Sequence, residues 1–226
     1  MSGFLSRLLF PTACPLCGTL QYPAEVERDG CCPPCMKENI YPVGQATVEL
    51  PGFVSSCEAV YCCSFYGGKM KRAMTRFKFS GETYIGPCLG RLIYGLLSKT
   101  DMLKNVDIIT AVPISPERFK ERGYNQSLII SREISKLSGI ETVELLERWV
   151  QGASQRELLL EARQHNENKF CLKQNACEKA NGKSILLVDD ILTTGNTLNR
   201  CGELLRKAGA AWVTGVCVTG GRRDFT

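Results

Sequence analysis

The sequence predicts an α/β chain, a parallel sheet flanked by helices with a small N-terminal four-cysteine module ahead of it. Two observations carry this. Short apolar runs alternate with helical patterns between residues 58 and 218, which is the rhythm of βαβ units. Ahead of them, between residues 14 and 35, stand two Cys-x-x-Cys knuckles. The chain divides accordingly into residues 1–50, a zinc-binding module and linker, and residues 51–226, the α/β domain.

Residues 184–199 organise the rest. Ile185 to Val188 is an unbroken apolar run, β-branched at both ends and too short for a buried helix, so it reads as a buried strand of a parallel sheet. Asp189 and Asp190 follow at its carboxyl end, and then comes the turn Thr193-Thr194-Gly195-Asn196-Thr197. A helix takes over, with Leu198, Cys201, Leu204, Leu205 and Ala208 on one face and Gly209 to end it; Trp212 to Val218 is the next strand. These residue types suit a phosphorylated sugar. Backbone N–H groups at a helix N-terminus attract a phosphate, and threonine hydroxyls add donors. Gly195 lets the backbone come close, while adjacent carboxylates accept hydrogen bonds from vicinal hydroxyls and can hold a hydrated Mg²⁺. Ligands of open α/β sheets bind at such strand ends. The blander reading is a strand–turn–helix whose acids cap the helix. A Walker phosphate loop is excluded, because Gly182-Lys183-Ser184 has Cys177 where the first glycine should stand.

With 226 residues, 44% of them hydrophobic and 23% charged, the chain has a globular composition and suits one α/β domain with a small appendage. No apolar run approaches the roughly 18 residues of a spanning helix. Phe4 to Phe10 is apolar but broken by Arg7, a poor signal peptide and better read as a short docking helix. A cytoplasmic protein is expected. The formal net charge of +5 permits an anionic partner without demanding nucleic acid.

Thirteen cysteines are many for such a chain, and their odd number speaks against a complete disulfide framework. Five crowd into residues 14–35; others, such as Cys62, Cys88, Cys201 and Cys217, lie in apolar settings where a free thiol acts as a small hydrophobe. Cys14, Cys17, Cys32 and Cys35 can place four thiolates tetrahedrally about one Zn²⁺, whose binding supplies the folding free energy so short a module lacks. The alternative is a pair of redox-active dithiols, but no thioredoxin-like pattern surrounds them. Spacing favours Cys32 over Cys31 as the ligand. His165, the one histidine, sits in a polar run as a surface residue.

Between these landmarks, residues 40–56 read as a linker and Glu58 to Tyr66 as a strand. Residues 67–81 carry Lys69, Lys71, Arg72, Arg76 and Lys78 with no acid among them and two interleaved aromatics. That is a candidate surface for single-stranded nucleic acid. The residues favour instead a solvated helix face running into a strand whose Phe77 and Phe79 pack inward. Tyr84 to Leu97 follows the i, i+3, i+4 rule of a helix lying on the sheet. Val106 to Val112 is a strand ended by Pro113, and the basic segment Pro116 to Gln126 then leads into a helix ended by Gly139. Such a segment is either where a pyrophosphate is held or an ordinary basic loop. Residues 150–170 read either as a mobile flap or as an exposed helix with charge pairs.

The run of four apolar residues, two acids, two further positions and Thr-Thr-Gly-x-Thr closely resembles the phosphoribosyl-pyrophosphate (PRPP) loop of type I phosphoribosyltransferases. The resemblance implies a Rossmann-like parallel sheet, with Asp189 and Asp190 on the ribose 2′- and 3′-hydroxyls, Thr193 to Thr197 around the 5′-phosphate, and Mg²⁺ bound with PRPP. The order of parts resembles the ComF family of competence proteins: a four-cysteine module, Lys78 to Gly81, Val112-Pro113, Arg-Gly-aromatic-Asn-Gln at Arg122 to Gln126, Gln155 with Leu158, Arg163 with Asn166, then the PRPP loop. The resemblance implies participation in natural transformation, with single-stranded DNA and the competence helicase as partners, and places Arg122 near the pyrophosphate. Tyr124 stands where phenylalanine is usual, which leaves the aromatic role intact. Two classes of function follow: a competence protein using PRPP as ligand or switch, or a transferase joining the phosphoribosyl group to a base or amine.

Overall fold

The computed structural model describes residues 12–21, 30–39, 56–148 and 170–220. The docking segment 4–10, most of the 40–56 linker, and residues 150–169 with Gln155, Leu158, Arg163, His165 and Asn166 lie outside the described residues. The elements run β1 (Thr12–Ala13), β2 (Leu20–Gln21), α1 (Pro33–Asn39), β3 (Ala59–Phe65), α2 (Gly68–Phe79) and α3 (Ile85–Leu97). A 3₁₀ turn, Asp101–Asn105, leads to β4 (Ile108–Ala111), α4 (Pro116–Arg122), α5 (Gln126–Ser138), β5 (Leu146–Arg148) and β6 (Phe170–Leu172). The chain continues as α6 (Ala176–Ala180), β7 (Ser184–Leu192), α7 (Asn196–Lys207) and β8 (Trp212–Gly220).

The main sheet has the order β3-β8-β7-β4 and all its pairings are parallel. β7 is buried on both faces, which explains its unbroken apolar run. Leu186 and Val188 join one buried cluster, with α2, α3 and α5. Ile185 and Leu187 join the other, with α6, α7 and the β5–β6 hairpin. Each such side chain contributes about 1.5–3 kcal/mol by leaving water.

β7 is longer than the apolar run foretells. Its pairing with β4 ends at Ala111↔Val188, whereas its pairing with β8 continues to Leu192↔Gly220. Asp189 and Asp190 therefore lie within the strand, where β8 still supports it and β4 has already turned away at Pro113. The acids stand at an opening that one strand's early end creates.

The basic segment differs from expectation too. It is helical through Phe79 and enters no strand. Met70, Ala73, Met74 and Phe77 share one buried face, the i, i+3, i+4, i+7 positions. Phe79 falls two residues on, around the far side of the helix, and is 71% exposed.

Two glycines inside α3 are explained by its neighbour. A Cβ on Gly90 would lie 2.7 Å from Glu133 Cβ, and one on Gly86 would lie 2.5 Å from Ile129 Cγ2, both in α5. The helices approach closely because those two positions lack a side chain.

The N-terminal module belongs to the same body. Cys14, Leu16, Cys31, Cys32 and Cys35 share a buried cluster with Met70, Met74 and Phe77 of α2 and Leu89 of α3. Lys69 at the start of α2 pairs with Glu38 of α1 at 2.5 Å, and Arg76 near its end donates to the Pro15 carbonyl.

Candidate functional site

The site is built where β7 meets α7. Gly195, at φ 82°, takes the left-handed conformation ahead of α7, which glycine adopts without strain. Thr193 and Thr194 are exposed at the turn, and Thr194 Oγ1 accepts from the Asn196 N–H at 3.4 Å. The amino end of α7, with its unsatisfied N–H groups, faces the same turn.

Asp189 Oδ1 accepts from its neighbour's backbone, the Asp190 N–H at 2.8 Å, and from the Ser127 hydroxyl at 3.1 Å. Burial, and next the adjacent Asp190 charge, push the Asp189 carboxyl up to about 7, against the hydrogen bonds and Lys78, which favour ionisation. Asp190 takes a different partner: Lys78 Nζ lies 2.8 Å from its Oδ2, with both side chains largely buried. The five cations of the candidate nucleic-acid face thus have varied fates. Lys69, Arg76 and Lys78 are held by Glu38, Pro15 with Glu82, and Asp190, while Lys71 and Arg72 are exposed.

The Arg-Gly-Tyr-Asn-Gln block is a structural joint as well as a candidate ligand loop. Gly123 ends α4 at φ 77°. Tyr124 stacks on Phe77 with ring centroids 5.7 Å apart, and its hydroxyl donates to the Phe77 carbonyl. Asn125 caps α5 by accepting from the Ser127 and Leu128 N–H groups, and its amide donates to the Val112 carbonyl at 3.0 Å. That cap fixes Ser127 beneath Asp189. Arg122 donates to Gln126 Oε1 at 3.2 Å and lies 5.1 Å from the Phe79 ring centroid. Lys78 and Arg122 line one cleft, so the block is brought to the Asp190 side of the site.

Two contributors escaped the sequence reading. Ser127 is, by sequence, one hydroxyl among several in a helix. Arg148, at the end of β5, donates to the Pro113 carbonyl at 3.3 Å and covers the Phe170 ring at 3.9 Å. Burial lowers its pKa, while Asp189 is among the charges that raise it. Nothing local marks either residue, because both reach the site through long-range packing.

The second candidate centre is the cysteine set. The ligand atoms of Cys14, Cys17, Cys32 and Cys35 lie within 4.8 Å of one another, and Cys31 is buried outside that set. Tetrahedral ligation with metal–sulfur bonds of about 2.3 Å puts sulfurs roughly 3.8 Å apart, and Cys17 Sγ and Cys32 Sγ are 3.8 Å apart. Burial, and then hydrogen bonds with Cys32 and Cys17, push the Cys35 thiol well up. A divalent cation is what would let four such thiolates coexist, so the set fits a metal such as zinc. None of the thirteen cysteines is joined in a disulfide. Among the described residues, no helix is long and apolar enough to cross a membrane.

Sheet, paired carboxylates and threonine–glycine turn define a phosphoribosyltransferase domain, and residues 126–224 match the family described as "Phosphoribosyl transferase domain". Competence protein F of Haemophilus influenzae is 29% identical over 201 residues, covering 81% of this chain and 87% of that protein. Competence protein ComFC of Bacillus subtilis is 30% identical over 204 residues, 89% of this chain and 75% of that protein. DNA utilization protein YhgH of Escherichia coli K12 is 30% identical over 160 residues, 68% of each. The chain belongs to the ComF/ComFC family of competence proteins.

Proposed function

We propose that this chain is a cytoplasmic competence protein that binds PRPP with Mg²⁺ and takes part in handling single-stranded DNA during natural transformation, alongside the competence helicase. The observation that carries the ligand is the pair Asp189 and Asp190, held within β7 where β4 ends, facing the glycine-led start of α7. Asp189 and Asp190 accept hydrogen bonds from the ribose hydroxyls. Thr193, Thr194, Asn196 and Thr197, with the backbone at Gly195, surround the 5′-phosphate. Arg122 and Lys78 stand on the pyrophosphate side as cations. Mg²⁺ adds positive charge to the pyrophosphate when bound. Zn²⁺ on Cys14, Cys17, Cys32 and Cys35 is the structural metal of the module.

The DNA role is supported by family membership and by the names of the relatives, two competence proteins and a DNA utilization protein. A transferase is the second reading, in which a base or amine forms a bond to C1 of the phosphoribosyl group and pyrophosphate leaves with the bonding electrons. The carboxylate pair beside the sugar, with Lys78 and Arg122 toward the departing pyrophosphate, favours it, since such groups stabilise the charges that develop as that bond breaks.

Calorimetric titration of the zinc-loaded protein with PRPP and Mg²⁺ tests the ligand. Binding is expected in the wild type and lost in Asp189→Asn/Asp190→Asn with the fold intact by circular dichroism. Equal affinity in the double variant refutes the site. Transformation assays of the same variant test the biological role, and pyrophosphate release with a panel of bases and amines tests the transferase.

A further inference from the structure

We propose that the cysteine module is a regulatory site for the carboxylate pair: α2 couples metal occupancy of the cysteines to affinity for the phosphoribosyl ligand. Losing zinc weakens ligand binding, and the bound ligand tightens the hold on zinc. The inference rests on the zinc and phosphoribosyl readings above and goes beyond both by joining them.

α2 reaches both sites. At the module, Lys69 pairs with Glu38, and Met70, Met74 and Phe77 are buried in one cluster with Cys14, Cys32 and Cys35. Arg76 donates to the Pro15 carbonyl, which lies inside the first knuckle between Cys14 and Cys17. A metal that closes this knuckle fixes where that carbonyl stands. The second knuckle is seated as closely. A Cβ on Gly30 would lie 2.3 Å from the Cys88 carbonyl oxygen and 3.2 Å from Arg91 Cβ, both in α3.

The two residues after Arg76 lead to the two carboxylates. Lys78 Nζ lies 2.8 Å from Asp190 Oδ2. Phe77 leads to Asp189 in three steps. Its carbonyl accepts from the Tyr124 hydroxyl. Asn125, next in the chain, caps α5 by accepting from the Ser127 N–H at 3.0 Å. The Ser127 hydroxyl then donates to Asp189 Oδ1 at 3.1 Å. One turn of helix, tied together by its backbone hydrogen bonds, therefore carries Arg76 at the knuckle and the supports of both acids.

Burial gives the coupling its sign. With the knuckle closed, the apolar face of α2 stays out of water; with it open, that face loses the cysteines it packs on. Zinc and ligand both favour the docked helix, so each raises the other's affinity by the same factor. Arg76 acts on the carboxylates only through this turn, as a positioning residue.

The test uses the full, zinc-loaded chain. Zinc affinity is read by equilibrium competition with a zinc-selective chromogenic chelator, with and without PRPP and Mg²⁺. In the wild type, PRPP is expected to raise zinc affinity about 5- to 150-fold. Asp189→Asn/Asp190→Asn should show no such gain, which sets aside any direct action of PRPP on metal or chelator. Arg76→Ala should lose most of the gain and bind PRPP more weakly by calorimetry. Arg76→Lys, which keeps a donor for the Pro15 carbonyl, should restore both. The proposal is overturned by a chain that holds no zinc, or by PRPP binding that leaves zinc affinity unchanged. An equal gain in Arg76→Ala or in the double aspartate variant overturns it too. A wild type that binds no PRPP refutes the phosphoribosyl reading instead, and hydrogen exchange then decides whether module and carboxylates are coupled. With zinc bound, amides of residues 122–128 and 189–192 should exchange faster in Arg76→Ala than in wild type; equal exchange overturns the coupling.

Discussion

Lys78 Nζ sits 2.8 Å from Asp190 Oδ2, joining the last turn of α2 to the carboxylate pair in β7. The lysine is thereby a resident counter-ion of the candidate site. Lys78→Met should leave Asp190 without that partner and weaken binding of PRPP with Mg²⁺. It should also cost about 1–2 kcal/mol of stability, less than a fully buried pair because water still reaches both groups. Chemical denaturation and calorimetry measure the two effects separately. Unchanged affinity would return Lys78 to a purely structural role.

Asp189 makes the site sensitive to pH, because burial and then Asp190 raise its carboxyl to about 7. Ligand binding that needs the carboxylate should strengthen as pH rises through about 7 and fade below it. Stability should move the other way. The folded-state value lies above the unfolded value of about 3.9, so this group's contribution is full below about 3.9 and is lost as pH rises through about 7. Ser127→Ala removes a hydrogen bond that favours ionisation, so the binding midpoint should shift upward. Titrations across that pH range in wild type and variant check the direction; a downward shift would contradict it.

The cysteine set should hold one zinc ion per chain. Cys14→Ser/Cys17→Ser is expected to lose the metal by elemental analysis and to melt at lower temperature, because a structural zinc site contributes its binding free energy to folding. Arg76→Ala removes the donor to the Pro15 carbonyl between those two cysteines. It should release zinc faster to a chelator than wild type does. Equal metal content in wild type and the double cysteine variant would eliminate the site.

Gly90→Ala offers a test in which local and tertiary preferences oppose each other. Helix propensity favours alanine by about 1 kcal/mol. The added Cβ, however, would meet Glu133 Cβ at 2.7 Å and the Ile130 carbonyl at 3.0 Å, and overpacking typically costs about 1–3 kcal/mol. The variant should therefore be neutral to destabilised in urea. A gain near the full propensity value would show that α3 and α5 can part without loss.

Much of this was legible from local pattern. The apolar run at Ile185 to Val188, the acids and threonines after it, the stripe of α3 and the cysteine knuckles all appear in the structure where periodicity and spacing put them. The missed features depend on residues distant in sequence. β7 runs on through Asp189 and Asp190 because β8 pairs with it, which no property of those two acids reveals. Phe77 and Phe79 suggested strand alternation, yet the i, i+3, i+4 pattern from Met70 decides the matter once Phe77 has a core to enter. The partner of Lys78 and the reach of Arg148 likewise come from packing, not from neighbours in the chain.

Met70, Met74 and Phe77 of α2 bury themselves partly against Cys14, Leu16, Cys32 and Cys35. A polypeptide starting after residue 50 would present that apolar face to water, inviting aggregation in the expressing cell. The cysteine segment thus acts as a lid on the helical layer, and loss of its metal is expected to loosen α2 as well as the segment itself.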